Sequence, residues 1–266
     1  MSIDLKNQLQ EEGFVLIKNF ISKKTASEIK DQIFNIFLIQ HNYIYNNSKM
    51  GDDSNKLISE LYEKNNDLFL ACSKQVQKLP LIYNLASSIK TTNHLRQIGM
   101  ENPILSYTPL VMFNSKLMNK YITPPHQDWR SMQGSLDSLV IWIPFQDVYD
   151  GFGNIEFIPK SHKMGLVSSK SDDWFRKIDD QNLEDKFTSI EISSCDALVF
   201  STFLIHRTGI NSQKNIRWSV QFRYNNLSEK TYVERGFPDP YKHFPEEEIL
   251  TKNFPSKKII DETFNE

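Results

Sequence analysis

The sequence predicts an α+β fold in which helices precede a series of short strands. Apolar residues recur every three or four positions through roughly the first hundred residues, which is helical spacing. From about residue 103 the period changes to that of strands, and Gly, Asn and Asp turns separate several of them. Chains that place helices in one part and strands in another build α+β folds.

The amino-terminal part is predicted to be helical apart from one strand. Apolar side chains at Ile29, Ile33 and Ile36 share a helix face, and either Ser22 or Thr25 would cap that helix. Asn, Ser, Gly and Asp are enriched after it, which is typical of a loop. In chain order we predict a helix over 3–12, a strand over 14–19, a helix over 23–39, a loop over 42–56, and helices over about 57–70 and 74–89.

The strands that follow are short. Leu139, Ile141 and Ile143 alternate with Val140 and Trp142, so this strand is apolar on both faces and should be buried between two layers. Similar patterns predict further strands near 154–158, 188–192, 197–204 and 216–224.

The segment 163–186, called the insertion below, is polar and charged and contains Trp174 and Phe175. It is too long for a tight turn, so we expect it to lie over one mouth of the strand core. We expect it to have few apolar contacts, and we expect both this segment and the loop 46–55 to be more mobile than the barrel without substrate. Trp174 and Phe175 would either cover the site or hold the insertion to the outer wall. The chain after residue 226 is predicted to be a surface tail.

Composition is that of an ordinary globular protein. A chain of 266 residues with 39% hydrophobic residues can build one large core, and we expect a single domain over 1–266. With 31 basic and 33 acidic residues, nothing calls for nucleic acid or an anionic membrane as a partner. Cys72 and Cys195 lie in no CxxC or zinc spacing, and no secretory leader or membrane-length apolar run is visible. We therefore expect a cytoplasmic protein with reduced thiols.

Three residues predict a metal site. His126 and Asp128 are two positions apart, so on a strand their side chains point to the same side. His206 could add a third ligand from a distant strand. Two histidines and one carboxylate on one face of an octahedron leave three positions open, which is the arrangement of non-haem Fe(II) oxygenases. A histidine on a strand is more often a buried core residue, so the prediction rests on the ordered set.

The sequence around these residues resembles the phytanoyl-CoA dioxygenase family of Fe(II)- and 2-oxoglutarate-dependent oxygenases. The resemblance covers roughly residues 100 to 225, is weaker over the first hundred, and ends by residue 230. Glycine is common in the family at the positions of Lys160 and Cys195, which puts the local turn geometry in question. The segments that carry the resemblance are 12–17, 142–147, 153–162, 196–200 and 206–209, together with His126 and Asp128.

The family resemblance implies a double-stranded β-helix, a jelly-roll, cupin-like barrel buttressed by the amino-terminal helices. It implies Fe(II) as metal, with 2-oxoglutarate and O2 as cosubstrates, release of succinate and CO2, and support of the reaction by ascorbate in vitro. Related halogenases have a small residue at the position of Asp128, which leaves room for chloride. Asp128 therefore favours oxygen insertion over halogenation.

The 2-oxoglutarate contacts are predicted from Arg217 and Ser219, which share a strand face. A guanidinium beside a hydroxyl suits a terminal carboxylate, and the resemblance assigns to it the distal carboxylate of 2-oxoglutarate. The turn at 209–212 would place His206 and Arg217 on paired strands. Thr208 and Trp142 are carried over from the family as further cosubstrate contacts. The alternative for Arg217 is a structural ion pair, and the alternative for Trp142 is an ordinary place in the apolar core.

Substrate contacts are predicted among the residues that flank the metal ligands: Gln127, Trp129, Arg130 and Gln133. Trp129 could stack on a substrate and Arg130 could bind an anion, whereas the alternative is that all four are surface-loop residues. His162 belongs to a structural turn in the family and is not predicted to bind metal.

Together these residues predict an oxygenase that hydroxylates a small polar or carrier-linked metabolite. Two alternatives remain open: the same fold catalysing desaturation, cyclisation or epimerisation, and a metal-binding jelly roll without turnover. No basic cluster suited to the phosphates of coenzyme A stands out. The sequence determines neither the substrate nor the oligomeric state.

Overall fold

A computed structural model describes residues 4–45, 53–172, 175–178, 181–240 and 254–265. No helix in these ranges combines the length and apolarity needed to cross a membrane. The helices are α1 (Leu5–Glu12), α2 (Lys23–Ile44), α3 (Ser54–Lys64), α4 (Asn66–Val76), α5 (Pro80–Ser87), α6 (Ile89–Gln97), α7 (Trp129–Met132), α8 (Lys230–Glu234) and α9 (Lys257–Thr263).

The first two helices agree with the prediction, whereas the later ones are shorter and more numerous. Ser22, not Thr25, caps α2 by accepting a hydrogen bond from the Thr25 amide. The predicted helix 57–70 breaks at Asn65, whose side chain caps α4. The predicted helix 74–89 breaks before Pro80, which lacks the amide that would continue α4 and instead begins α5. The predicted loop 42–56 is shorter than expected, and residues 46–52 lie outside the described ranges.

The strands are β1 (Phe14–Ile17), β2 (Pro103–Leu105), β3 (Leu110–Asn114), β4 (Leu139–Pro144), β5 (Ile155–Phe157), β6 (Lys170–Asp172), β7 (Phe175–Lys177), β8 (Ala197–Ser201), β9 (His206–Thr208) and β10 (Arg217–Asn226). The predicted strand 188–192 is reduced to two isolated bridges, between Thr188 and Phe157 and between Ile192 and Val148.

An antiparallel major sheet has the order β1-β8-β4-β10-β2, and β3 pairs with another part of β10. The strands β5 and β9 form a separate two-stranded sheet. Among the described strands, no ladder closes the two sheets into a barrel. The predicted pairing of the strands that carry His206 and Arg217 is wrong, because β9 pairs with β5 while β10 lies in the major sheet.

The alternation along β4 shows where the two cores lie. Ile141 and Ile143 belong to the large cluster shared with the amino-terminal helices. Val140 and Trp142 belong to a second cluster, which contains Phe157 of the two-stranded sheet. One face of the major sheet is therefore covered by helices and the other faces β5 and β9. The predicted α+β fold with buttressing helices is confirmed.

Aromatic side chains join the helices to the major sheet. Phe37 of α2 and Phe69 of α4 lie 5.8 Å apart between ring centroids. Phe113 of β3 meets Phe37 edge-on at 5.4 Å and Trp218 of β10 at 5.6 Å. These four rings form a continuous contact from α4 to the strand that carries Arg217.

The insertion has more apolar contacts than the sequence predicts. Ile178 and Leu183 are buried in a cluster with Ile158 and Ile205, against which Val167 and Phe187 also pack. Trp174 and the side chain of Phe175 lie outside what the structure describes, so the predicted roles of these two rings remain predictions.

Two positions where the family commonly has glycine adopt the left-handed backbone conformation. Lys160 has φ 64° and Cys195 has φ 82°. An L-residue pays a steric cost there that glycine avoids. Lys160 begins the 3₁₀ turn Ser161–Met164, in which the His162 ring donates a hydrogen bond to the Gln10 carbonyl.

Candidate metal and cosubstrate site

The two histidines of the predicted metal site form a cross-strand pair. The His126 amide donates to the His206 carbonyl at 2.9 Å, and the His206 amide donates to the His126 carbonyl at 3.1 Å. Both side chains are buried, and their ring centroids lie 4.1 Å apart. The backbone therefore fixes the spacing of two imidazoles that are far apart in the chain.

Asp128 completes the group. Its Oδ1 lies 3.7 Å from Nε2 of His126, and its Oδ2 lies 3.6 Å from Nε2 of His206. One ligand atom from each of the three residues can be chosen so that all lie within 4.8 Å of one another. In the part of the chain that the structure describes, no other three His, Cys, Asp or Glu side chains come together in this way.

The hydrogen bonds of the imidazoles determine which nitrogen is available. Nδ1 of His126 is 2.8 Å from the Pro124 carbonyl, and Nδ1 of His206 is 2.9 Å from the Leu204 carbonyl. A carbonyl only accepts, so each Nδ1 donates and each Nε2 is the ring nitrogen on the side of Asp128. Burial and the neighbouring His126 lower the pKa of His206 to about 3, so this imidazole is neutral at physiological pH. Rings whose Nδ1 atoms are held by backbone carbonyls present their Nε2 atoms in fixed positions, as metal-binding histidines do.

Arg223 makes a close contact with the carboxylate of Asp128. Its Nη2 is 2.9 Å from Oδ1 of Asp128 and 3.1 Å from Oε1 of Gln221. Burial raises the pKa of Asp128, but Arg223 and the two histidines outweigh burial and keep it well below its usual range. Sequence analysis missed Arg223, although the period-two rule places it on the β10 face that also carries Arg217, Ser219 and Gln221.

Arg217 has the surroundings predicted for a carboxylate-binding residue. It is 3% exposed, donates to Ser219 Oγ at 2.5 Å, and has its guanidinium carbon 5.4 Å from the centroid of the Trp142 ring. Its Nε is buried and makes no hydrogen bond with a described residue. Burial lowers the pKa of Arg217 to about 10, so the group stays protonated at neutral pH. A buried cation with an unused donor suits an anionic ligand.

These residues surround one pocket, called the ligand pocket below. It contains the three predicted metal ligands and three of the four predicted cosubstrate residues: Arg217, Thr208 and Trp142. Ser219 is fully buried and supports Arg217. The pocket also has walls that sequence analysis did not identify: Leu110, Met112, Thr123, Ser131, Ile155, Arg207, Gln221 and Arg223.

The four residues predicted to contact substrate do not line the ligand pocket. Gln127 bonds to Gly165, Val167 and Phe203 through the backbone of those residues. Trp129 packs on Phe203 and donates to the Ser135 carbonyl.

Arg130 donates to the Val167 carbonyl, and Gln133 donates to the Arg130 carbonyl. All four side chains are buried, so they are not the surface-loop residues of the alternative, and their contact with substrate remains a prediction. Because α7 begins directly after Asp128, Ser131 is the residue of this segment that lines the ligand pocket.

The donor set fits a divalent metal of intermediate hardness. Two imidazoles and one ionised carboxylate are the ligands that non-haem Fe(II) uses. Among the residues that the structure describes, neither the buried Oδ2 of Asp128 nor the buried Nε of Arg217 has a hydrogen-bond partner. A cation beside Asp128 and an anion beside Arg217 would satisfy both atoms, so the pocket fits a metal together with an acidic cosubstrate.

A larger cavity of about 500 Å³ lies elsewhere, between α1, the end of α6 and α9. Its lining includes Leu9, Ile98, Met100 and Phe264, and it contains none of the three residues of the metal group. The metal group therefore belongs to the smaller ligand pocket.

Solved structures of similar fold include proteins described as an epimerase and as a non-haem monooxygenase. SnoN, described as an epimerase in complex with Fe³⁺, alpha ketoglutarate and nogalamycin RO, is 15% identical with a TM-score of 0.55 over 84% of this chain and 83% of that chain. The non-haem monooxygenase ThoJ is 15% identical, with a TM-score of 0.51 over 84% and 77%. HygX from Streptomyces hygroscopicus, with nickel and 2-oxoglutarate bound, is 10% identical, with a TM-score of 0.54 over 86% and 88%. At these identities the likeness shows a shared fold.

No curated protein sequence matches the chain. The family model for phytanoyl-CoA dioxygenase matches residues 9–219, which is most of the chain. The protein therefore belongs to the phytanoyl-CoA dioxygenase family of Fe(II)- and 2-oxoglutarate-dependent oxygenases, as its motifs predict.

Proposed function

We propose that His126, Asp128 and His206 hold Fe(II), that Arg217 binds 2-oxoglutarate, and that the protein hydroxylates a small polar or carrier-linked metabolite. The observation that carries this proposal is the arrangement of two Nε2 atoms and one carboxylate around a single point beside a buried, protonated arginine. When bound, iron with 2-oxoglutarate and O2 supplies an oxidant that can remove hydrogen from an unactivated C–H bond, while 2-oxoglutarate leaves as succinate and CO2.

The residues of the chain bind and orient the reactants. Arg217 offers a charge-assisted donor to the distal carboxylate of 2-oxoglutarate. Its guanidinium is held by a hydrogen bond to Ser219 and by contact with the Trp142 ring. Thr208 and Trp142 form the adjacent wall of the ligand pocket. The apolar side chains Ile155 and Leu110 exclude water from the same space.

The substrate side of the ligand pocket is mixed in character. Ser131, Thr123 and Gln221 offer hydrogen bonds, and Met112 offers an apolar surface. The two arginines on this side already have carboxylate partners: Arg223 pairs with Asp128, and Arg207 pairs with Glu156 and Glu184. A small polar substrate, free or presented on a carrier, suits such a wall better than a highly charged one.

We also infer that the protein works in the cytoplasm. Cys72 and Cys195 are buried and form no disulfide, which suits a reducing compartment. Its substrate is a small molecule, and the overall charge favours neither nucleic acid nor an anionic membrane.

The first test measures metal binding and turnover. Purified protein with Fe(II), 2-oxoglutarate and ascorbate should form succinate, and a metabolite library should reveal the substrate by stimulating that turnover. His206→Ala should lower Mn(II) affinity by more than about 100-fold, because loss of a direct ligand exceeds the 10- to 100-fold effect of losing an outer hydrogen bond. His94→Ala, which changes a histidine of α6 outside the ligand pocket, should keep parental affinity. Equal Mn(II) affinity in His206→Ala and the parent would contradict the assignment.

The product decides between hydroxylation and its alternatives. A hydroxylase adds one oxygen atom, whereas desaturation and cyclisation remove two hydrogens and epimerisation leaves the mass unchanged. The fold is shared with a monooxygenase and with an epimerase, so it permits more than one of these outcomes. Mass spectrometry of the product under ¹⁸O2 distinguishes them. Metal binding without succinate formation from any substrate would favour a binding module.

A further inference from the structure

Arg223 and Asp128 form a buried ion pair inside the ligand pocket. Arg223 is 7% exposed and Asp128 is 4% exposed. The Nη2 atom of Arg223 lies 2.9 Å from Oδ1 of Asp128, and Gln221 accepts a second hydrogen bond from the same nitrogen at 3.1 Å. Arg223 and Gln221 lie two positions apart on β10, so the central strand of the major sheet determines where this guanidinium lies.

The two oxygens of Asp128 are therefore unequal. Oδ1 accepts the charge-assisted bond from Arg223. Oδ2 is buried, lies 3.6 Å from Nε2 of His206, and has no hydrogen-bond partner among the described residues. A buried carboxylate oxygen without a partner is unfavourable, and a cation would satisfy it. The ion pair between Arg223 and Asp128 thus leaves Oδ2 of Asp128 available to a metal.

Simple electrostatics does not explain an arginine at this position. A positive charge beside the metal group repels the incoming cation and weakens its binding. A neutral donor such as an amide would support the carboxylate without this repulsion. The role of Arg223 is therefore something other than raising the affinity for metal. In the structure it donates a strong, directed hydrogen bond to one oxygen of Asp128.

We propose that Arg223 is a positioning residue that keeps Asp128 a one-oxygen ligand by occupying Oδ1 and leaving Oδ2 for the metal. This inference rests on the proposed function. A facial group of two histidines and one carboxylate oxygen leaves three of about six octahedral positions open. A second oxygen from Asp128 would take one of them. The open positions are needed for 2-oxoglutarate and O2, so Arg223 protects the capacity of the site to bind both.

The test uses Mn(II), because bound water on this ion is counted by proton relaxation without any turnover. In the parent protein, about three waters should remain on Mn(II), and in Arg223→Met about two, so the relaxivity should fall by about a third. The affinity of the Mn(II)-loaded protein for 2-oxoglutarate, measured by calorimetry, should fall about tenfold or more because one open position is lost. Arg223→Lys should restore both quantities in part, since an ammonium can still donate to Oδ1.

The matched control is Arg235→Met. Arg235 is a half-buried arginine that donates to the Gln133 and Gly134 carbonyls, outside the ligand pocket. It should keep parental relaxivity and parental 2-oxoglutarate affinity. If Arg223→Met also keeps the relaxivity and the 2-oxoglutarate affinity of the parent, the proposed role of Arg223 is wrong. If the parent itself fails to bind Mn(II), the proposed function fails and this inference fails with it.

A second measurement needs no variant and covers the case in which Arg223→Met does not fold. In a crystal structure of the parent with Mn(II), we expect Asp128 to reach the metal through one oxygen while the other still accepts from Arg223. Asp128 bound through both oxygens, or Arg223 turned away from it, would overturn the proposal.

Discussion

At the scale of single residues, the sequence predicts the metal group although Asp128 is not on a strand: its backbone is helical at the start of α7, while His126 lies in an isolated bridge. His126, Asp128 and His206 meet as expected, and Arg217 lies against Ser219 and Trp142. The four residues expected to contact substrate do not line the ligand pocket, and a short helix, α7, follows Asp128 directly. Four residues are too few for an apolar period to reveal that helix.

The first residue-scale prediction concerns Arg217. Arg217→Ala should raise the 2-oxoglutarate concentration needed for turnover by about 30- to 150-fold, because loss of a charge-assisted contact costs about 2–3 kcal/mol. Arg217→Lys should recover only part of this, since an ammonium cannot form the two-pronged contact. The measurement is the dependence of succinate formation on 2-oxoglutarate. An unchanged dependence in Arg217→Ala would place the cosubstrate carboxylate elsewhere.

The second residue-scale prediction concerns Lys160, which has φ 64°. Lys160→Gly should raise the free energy of unfolding relative to Lys160→Ala by about 0.5–1 kcal/mol, because only glycine avoids the left-handed steric cost. Both variants lose the ion pair with Glu12 equally, so their difference isolates the backbone effect. Urea denaturation measures it. Equal stability of the two variants would show that the turn around Lys160 already absorbs the strain.

At the scale of elements, the sequence predicts the type of an element better than its boundaries. The apolar repeat identified helices in the first hundred residues, but Asn65, Pro80 and Ser88 divide them into shorter pieces. Each is a local capping or breaking signal that an apolar repeat does not contain. The short strands of the insertion were not predicted either, because β6 and β7 are polar and alternate no apolar residues.

The attachment of the insertion gives the element-scale prediction. Gln127 forms three hydrogen bonds with the backbone of Gly165, Val167 and Phe203. Gln127→Met keeps the size of the side chain but leaves these buried groups without partners. We expect a loss of stability on the order of 3 kcal/mol. Since Gln127 lies beside His126, Mn(II) affinity should fall as well, by about 10- to 100-fold.

The control for this experiment is Gln146→Met. Gln146 also bonds to backbone at two positions, Ile216 and Trp218, but does not touch the insertion. It should lower the melting temperature while leaving Mn(II) affinity unchanged. If Gln127→Met lowers stability without affecting Mn(II) affinity, the attachment of the insertion stabilises the fold and does not support the metal site.

At the scale of the whole molecule, we propose that the chain is one folding unit. The aromatic contact from Phe69 to Trp218 lies in a single apolar cluster that contains both helices and major sheet. Phe69→Ala should therefore destabilise the entire protein by about 3–5 kcal/mol in one cooperative transition. Calorimetry tests this prediction. Two separate transitions, of which only the first moves, would divide the chain into a helical domain and a sheet domain.

The attachment of the insertion on both sides of His126 also determines how molecules travel to and from the metal. Ile178 donates to the Pro125 carbonyl at 2.8 Å, while Gln127 bonds to Gly165 and Val167. Swinging the insertion outward would break bonds next to a proposed metal ligand during every catalytic cycle. We therefore expect substrate and products to pass along β3, whose Leu110 and Met112 line the ligand pocket, so that substitutions there alter entry and exit rates while the chemical step stays the same.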